Sequence, residues 1–137
     1  MSTDKEQNNT GIFPKGDKAP LEYFTGAAWV KTLVANDDTL TTTITNVVFE
    51  PGARNNWHTH PSGQILICTA GIGYYQEKDK PIQTLHAGDV VKIPPGMEHW
   101  HGASPQNSFT HIAINVNTEK GIVNWLKPVT DEEYSSK

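Results

Sequence analysis

The sequence predicts an all-β protein with a single domain, built as a sandwich or barrel of short strands. With 137 residues, the chain is long enough to bury one hydrophobic core and too short for two. From Ala27 onward, short runs rich in Val, Ile, Thr and aromatic residues alternate with Gly and Pro. This middle part lacks the periodicity of a helix, so strands must form the core.

The predicted strands are separated by residues that end β-pairing or bend the chain, such as Pro51-Gly52, Ala70-Gly71 and Pro94-Pro95-Gly96. Near the end of the chain, Thr130-Asp131-Glu132-Glu133 has the form of a helix N-cap and predicts one short C-terminal helix. The predicted strands are Ala28 to Val34, Leu40 to Glu50, Trp57 to His60, Gln64 to Thr69, Gly73 to Gln76, Ile82 to Leu85, Val90 to Ile93, Glu98 to His101 and Phe109 to Val116.

Residues 1–20 are polar and rich in Lys, Asn, Gly and Pro, which predicts a flexible N-terminal arm or a segment that docks on a neighbouring subunit. The β-barrel domain is then expected over residues 21–137. We also expect a homodimer or a higher homo-oligomer, because a small open barrel must cover its strand edges and the arm is available to pair across an interface. Sedimentation at micromolar concentration tests this expectation.

The charge and hydropathy of the chain argue against nucleic acid and membrane partners. Its 11 basic and 15 acidic side chains give a net charge of −4 without a long run of either sign. The sequence has no stretch approaching the roughly 20 apolar residues of a membrane span, and its first residues do not resemble a secretory signal. A small-molecule ligand and a cytoplasmic location are therefore expected, and the lone Cys68 agrees with a reducing compartment.

Four side chains predict a site for one divalent metal ion. His58 and His60 lie two residues apart on a predicted strand, so both imidazoles point to the same side. Gln64 follows after a short turn, and His99 lies just beyond Pro94-Pro95-Gly96, a turn that can fold a distant strand back beside the first pair. A lone His-x-His pair is more often exposed or hydrogen-bonded than a metal site, and the combination with Gln64 and His99 is what favours metal binding.

Two further histidines are candidates for proton transfer. His101 lies two residues beyond His99 and is expected on the same face, and His111 lies in the last predicted strand. A neutral imidazole at either position can accept a proton from a substrate hydroxyl. The alternative for each is a histidine that is hydrogen-bonded in the barrel or that orients a metal ligand.

The alternation of the strand from Leu40 to Glu50 divides its side chains between two faces. If the face with Thr45 and Val47 points toward the metal, these two residues line a substrate pocket, and plain core packing is the alternative. Cys68 shares the face of Gln64, and a buried structural thiol is the commoner role for such a residue.

The two clusters resemble the motifs of the cupin superfamily, which is a jelly-roll-like double-stranded β-helix. The first motif matches Gly52, His58, His60, Gln64 and Gly71, and the second matches Gly88, Pro94, Gly96 and His99. The sequence departs from the family pattern at Gln64, where the family usually has Glu, and at Ala103, where it usually has Asn. A neutral amide at position 64 leaves the metal with its full +2 charge and makes it a stronger Lewis acid.

A narrower resemblance, from about Tyr23 to Tyr134, is to the bacterial manganese-dependent hydroxynitrile lyases of the cupin type and to carboxymuconolactone-decarboxylase-associated cupins. It rests on Phe49-Glu50-Pro51-Gly52-Ala53-Arg54, Trp57-His58-Thr59-His60-Pro61, Gly88-Asp89-Val90-Val91, His99-Trp100-His101-Gly102-Ala103 and Val129-Thr130-Asp131-Glu132. That group also uses Gln as a ligand. The resemblance implies cleavage of cyanohydrins to a carbonyl compound and cyanide, and the reverse reaction, at a manganese site.

Two other functions are compatible with the same residues. One is a metal-dependent dioxygenase, in which three His and a weak fourth ligand leave positions for dioxygen and substrate; the other is a cupin that binds a small ligand without catalysis. Imidazole and amide oxygen suit Mn or Fe, and Ni or Zn remain compatible with this ligand set. Metal identity and oxygen consumption separate these alternatives.

Overall fold

The computed structural model describes residues 11–137, and twelve strands of this part form one curled antiparallel sheet. A single turn of 3-10 helix, Thr118–Lys120, and one short α-helix, α1 at Asp131–Tyr134, complete the described part. The strands are β1 Asp17–Lys18, β2 Phe24–Thr25, β3 Ala28–Val34, β4 Thr43–Phe49, β5 Arg54–Asn55, β6 His58–Thr59, β7 Gln64–Glu77, β8 Gln83–His86, β9 Val90–Ile93, β10 His99–Ala103, β11 Phe109–Asn115 and β12 Asn124–Trp125. The expected all-β fold is confirmed.

The sheet has two halves that share β7. One half runs β1-β3-β4-β11-β7, with β9 also paired to the first residues of β7. The other half runs β7-β10-β5-β2, with β8 on β7, β6 on β10 and β12 on β6. Because β7 bends from one half into the other, the two halves face each other and enclose the core between them.

The long strand β7 corrects one expectation from the sequence, which placed a break at Ala70-Gly71 between two short strands. The chain continues through this point as one strand of 14 residues, and its register with β11 shifts between Thr110 and His111. Gly71 has a φ of 78°, and a Cβ there would collide with the carbonyl of Ser108. The register shift leaves Thr69 as an extra residue, so β7 has a bulge just before Gly71 and bends there without ending.

The sequence pattern also missed four of the five two-residue strands, namely β1, β2, β5 and β12. Strands this short have no periodicity to detect, because alternation needs about four residues. Of the expected arm, residues 1–10 lie outside the described part, whereas Asp17–Lys18 pairs with β3 of the same chain and Ala19 is buried. The flexibility of the arm and the homodimer stay predictions.

The C-terminal helix is confirmed, and it is fastened to the barrel. Thr130 and Glu133 form a capping box, in which Glu133 N–H donates to Thr130 Oγ1 over 3.0 Å and Thr130 N–H donates to Glu133 Oε1 over 2.9 Å. Buried Arg54 donates to the carbonyl of Val129 over 2.9 Å, and its guanidinium lies 4.6 Å from the ring centre of Tyr134.

Among the described residues, no helix is long and apolar enough to span a bilayer.

Packing inside and outside the barrel involves different residues. The interior cluster is rich in large side chains, including Phe49, Leu66, Tyr75 and Phe109, all of them fully or almost fully buried. Outside the barrel, α1 and the segment before it cover a second cluster, made of Trp57, Ile82, Trp100, Val129 and Tyr134. The interior cluster adjoins the histidines of the barrel, since the ring centres of Phe49 and His111 are 5.6 Å apart.

Candidate metal centre

Three histidines from two paired strands converge in the barrel. His58 in β6 lies directly opposite His99 in β10, and His60 follows just after β6. The ring centres of His58 and His99 are 4.2 Å apart, and ligand atoms of all three histidines lie within 4.8 Å of one another. Residues 41 positions apart in sequence are thus brought together by a single pair of strands.

A backbone carbonyl holds each of the three rings. His58 Nδ1 lies 2.7 Å from the carbonyl oxygen of Asn56, His60 Nδ1 lies 2.7 Å from that of Ile122, and His99 Nδ1 lies 2.9 Å from that of Met97. A carbonyl oxygen can only accept, so in each neutral ring Nδ1 carries the hydrogen and donates it. The lone pair is then on Nε2 of all three rings, which is the arrangement of metal-binding histidines.

The free lone pairs of this cluster fit a divalent cation. Nε2 of His60, Nε2 of His99 and Oε1 of Gln64 are buried, and none has a hydrogen-bond partner among the described residues. Gln64 lies in the same cavity wall as His58 and His60. Several buried acceptors without a donor are costly, and a cation among them would satisfy all of them at once. The three-histidine cluster therefore indicates a divalent metal, and Gln64 Oε1 could serve as a fourth ligand.

The electrostatics of the cluster keep its rings neutral. Burial lowers the pKa of His99 to about 4 and also lowers the pKa of His60. The pKa of His58 is well below its ordinary value, because the ring is buried and His99 and His60 lie beside it. Imidazole binds metal only in its neutral form, so these groups are ready to bind near neutral pH.

The second pair of histidines, His101 in β10 and His111 in β11, lies next to the cluster. His111 Nε2 is 3.1 Å from His101 Nδ1, and the His101 ring centre is 5.4 Å from that of His58. Both rings are buried, and burial lowers the pKa of His111 to about 3. Burial and the neighbouring His111 place the pKa of His101 well below its usual value. The pair is therefore neutral and can accept a proton.

We expect the metal-free protein to lose stability as the pH falls below about 6.5. Histidines of the unfolded chain bind protons near that pH, whereas burial lowers the pKa of His111 to about 3 and that of His99 to about 4. Protons then favour the unfolded state, and the stability present above about pH 6.5 is progressively lost on the acid side. Chemical unfolding of chelator-treated protein between about pH 7 and about pH 4 measures this loss.

Two substitutions sharpen that measurement. His111→Gln removes one buried imidazole, so its stability should depend less steeply on pH than that of the wild type. His86→Gln changes a histidine that the structure places on the surface, as expected from the sequence, and should keep the wild-type slope. A free energy of unfolding that stays constant over the acid range would contradict the expectation.

Asn55 in β5 makes polar contacts with His101 that were not predicted from the sequence. Its Oδ1 accepts from the backbone N–H of His101 over 2.9 Å, and its Nδ2 lies 3.2 Å from His101 Nδ1. Asn55 is buried and belongs to a strand of two residues. No periodicity in the sequence could have placed it beside His101.

A cavity of about 230 Å³ opens onto the histidines. Thr45 and Val47 of β4 lie in its wall, together with His101 and His111, whereas Cys68 lies in the interior core. Burial raises the pKa of Cys68 to about 11, in keeping with a structural thiol. A more voluminous open cleft of about 540 Å³ beside α1 contains none of the predicted site residues.

One wall of the cavity is aromatic. The rings of Tyr23 and Trp125 are stacked with centres 4.7 Å apart, and Phe24 lies 6.0 Å from Trp125. Trp125 in turn lies 4.9 Å from the ring centre of His58, because β12 pairs with β6. This aromatic wall was not predicted from the sequence, since an aromatic side chain more often packs in a core than lines a pocket.

This arrangement of strands and ligands has counterparts among known proteins. Residues 45–113, which run from within β4 to within β11, match the Cupin domain family. The chain belongs to the cupin family. It is 44% identical over 117 residues to an (R)-mandelonitrile lyase of Granulicella tundricola, a match that covers 85% of this chain and 89% of that protein.

Two further proteins are similar to this chain, one more strongly and one less strongly than the lyase. A cupin-like protein from Thermotoga maritima, known from a crystal structure, has 50% identity and a TM-score of 0.89, with 91% of this chain and 95% of that chain covered. An acireductone dioxygenase of Parasynechococcus marenigrum is 23% identical over 58% of this chain and 42% of its own length. The cupin described here thus has strong similarity along most of its length to a lyase and only partial similarity to a dioxygenase.

Proposed function

We propose that this cupin is a metal-dependent hydroxynitrile lyase, which cleaves a cyanohydrin to a carbonyl compound and hydrogen cyanide and catalyses the reverse addition. The observation that carries the proposal is the neutral His101–His111 pair, which shares one cavity with His58, His60 and Gln64. The 44% identity to a mandelonitrile lyase supports the same reaction.

The proposed metal ligands are His58, His60, Gln64 and His99, and the proposed metal is manganese. Imidazole nitrogen together with an amide oxygen suits Mn or Fe better than softer ions. When bound, a divalent cation supplies Lewis acidity and positive charge beside the substrate. All four proposed ligands are neutral, so none of that charge is cancelled by the protein.

The proposed base is one ring of the pair formed by His101 and His111. Its unprotonated nitrogen takes the proton of the cyanohydrin hydroxyl, and the oxygen lone pair forms the carbonyl as the bond to the nitrile carbon breaks. The electron pair of that bond leaves with cyanide, which then takes the proton from the imidazolium and departs as hydrogen cyanide. Burial opposes a lasting charge on either ring, so the proton is returned readily.

The cavity favours a substrate with an aryl group. The cavity wall can contact an aromatic substituent through the rings of Tyr23, Phe24 and Trp125. Val47 of β4 adds an apolar side chain to the same cavity. A volume of about 230 Å³ accommodates a small molecule of this kind. Aromatic cyanohydrins are therefore the first substrates to test.

Metal analysis of the isolated protein, followed by mandelonitrile cleavage after removal and replacement of the metal, tests the proposal. We expect cleavage with manganese, loss of cleavage in the chelated protein and no uptake of oxygen. Absence of cleavage in protein that has bound manganese would refute the lyase, and oxygen consumption with a chelating substrate would point to the dioxygenase instead.

Gln64→Glu tests the contribution of the neutral ligand. Glutamate offers an oxygen at the same reach, so the metal content should hold, whereas the added negative charge should make the site less able to stabilise departing cyanide. We expect cyanohydrin cleavage to fall by about tenfold or more. Full metal content together with full cleavage in this variant would show that the neutral amide is not needed.

A further inference from the structure

The outer surface of one half of the sheet is apolar. Alternation along β4, β7 and β11 turns every second side chain away from the cavity and the interior core, and five of these outward side chains are partly exposed isoleucines. Strand β9 adds a valine on the same side, and this valine is 63% exposed. We call the six residues the isoleucine face: Ile44, Ile65, Ile67, Val90, Ile112 and Ile114.

The register of the strands makes the isoleucine face continuous. One row across the strands consists of Ile44, Ile114 and Ile65, and the next row consists of Ile112, Ile67 and Val90. Paired side chains in such a row lie about 5 Å apart. The first row ends at Lys92 in β9 and the second at Lys31 in β3, and neither row contains a carboxylate.

The isoleucine face has the size of the centre of a protein interface. Its four strands, about 4.8 Å apart, make it roughly 20 Å wide. Outward side chains repeat every ~6.7 Å along a strand, so the two rows together with Val116, just beyond β11, span about the same length. The apolar area is then about 400 Å². An interface of standard size buries about 800 Å² on each partner, of which about 60% is apolar.

The N-terminal segment of the chain does not have the composition to cover this face. Gly11 lies against Thr69 and Thr110, beside the isoleucine face, and the next residue, Ile12, is 87% exposed. Residues 1–10 are polar apart from Met1, so they offer almost no apolar side chain to pack on isoleucines. A surface of matching chemistry must therefore come from another molecule.

We propose that the isoleucine face is the interface of a homodimer, in which two copies of this chain pack face to face. A second copy supplies the same aliphatic sheet surface, and one isologous contact covers both faces at once. Each chain has a net charge of −4, so two copies repel least where no carboxylate lies between them. This mode of association differs from the pairing of strand edges through an N-terminal arm, and it does not depend on the proposed lyase reaction.

The same strands carry the candidate metal centre and its cavity on their inner side. Ile112 lies between His111 and Ala113, and Ile65 follows Gln64, so each of these isoleucines is next to a residue of the cavity wall. A partner packed on the isoleucine face therefore supports the wall from outside. Because the dimer binds only folded chains, we expect the midpoint of thermal unfolding to rise with protein concentration.

Sedimentation of the double variant Ile67→Lys with Ile112→Lys tests the proposal. We expect the wild type to sediment with the mass of two chains between about 1 and about 50 µM. The variant places two ammonium groups in the centre of the isoleucine face, and its dissociation constant should rise by more than about a hundredfold, which leaves single chains. Circular dichroism and metal content show whether the variant is folded.

Leu126→Lys is the matched control. It makes the same chemical change at an apolar residue that is 43% exposed and follows β12, in the other half of the sheet. This variant should sediment as the wild type does.

Ile67→Thr with Ile112→Thr keeps the test decisive if the lysine variant does not fold, because threonine retains the β-branched shape that strands favour. We expect its dissociation constant to rise by at least about tenfold. A folded variant of either kind with the dissociation constant of the wild type overturns the proposal and points to association through strand edges. A wild type that sediments as a single chain also overturns it and leaves the isoleucine face to a partner of a different kind.

Discussion

His99→Ala is expected to abolish metal binding and, with it, cyanohydrin cleavage. The substitution removes one of three converging imidazoles and leaves His58 without its partner across the β6–β10 pair. We expect the metal content of the purified protein to fall from about one ion per chain to near zero, and cleavage to fall by more than about a hundredfold. Elemental analysis and calorimetric titration of the chelated protein with manganese measure the loss.

The matched control is His86→Ala, which removes a histidine at the end of β8 that lies on the surface. It should bind metal and react as the wild type does. Thermal unfolding of both metal-free variants shows whether the fold is retained, because a buried histidine also contributes to packing. Full metal binding by a folded His99→Ala protein would remove His99 from the proposed ligand set.

His101→Asn and His111→Asn are expected to separate proton transfer from metal binding. Each removes one imidazole of the buried pair and leaves the three-histidine cluster in place. We expect each variant to keep its metal and to lose cleavage by about 10² to 10⁴, the usual contribution of general acid–base catalysis. Rates with mandelonitrile, normalised to bound manganese, give the comparison.

The double variant gives an additional test of the pair. If the two rings act as one unit, replacing both should cost little more than replacing one, because the effects of residues in a shared proton path are not additive. Losses that multiply would show that the rings act separately. Loss of metal in either single variant would instead indicate that the pair supports the ligands and that proton transfer lies elsewhere.

The alternation of side chains along strands explains why much of this site could be predicted. His58 and His60 share a side because they are two residues apart, and Gln64 faces inward at the start of β7 with Leu66 and Cys68. The same alternation along β4 predicts that Thr45 and Val47 point to one side, and both side chains lie in the cavity wall. Proline and glycine spacing added the turn that brings His99 back to the first pair.

Other parts of the site leave no trace in the pattern of residue types. The groups that orient the three ligand rings are backbone carbonyls of Asn56, Ile122 and Met97, and any residue could supply them. Asn55 and Trp125 lie in strands of two residues, where alternation cannot be recognised. Gly71 was read as a break because glycine with a positive φ occurs in turns and in bulges alike, and only the pairing of β7 with β11 separates the two.

The direct pairing of β6 with β10 has a consequence for the order of events during folding. His58 and His99 are separated in sequence by the chain that forms β7, β8 and β9, and contacts between residues this far apart are expected to form late and slowly. A ligand set assembled this late has little affinity for metal in the unfolded chain or in early intermediates. Bound metal should therefore slow unfolding of the native barrel and leave the rate of folding almost unchanged.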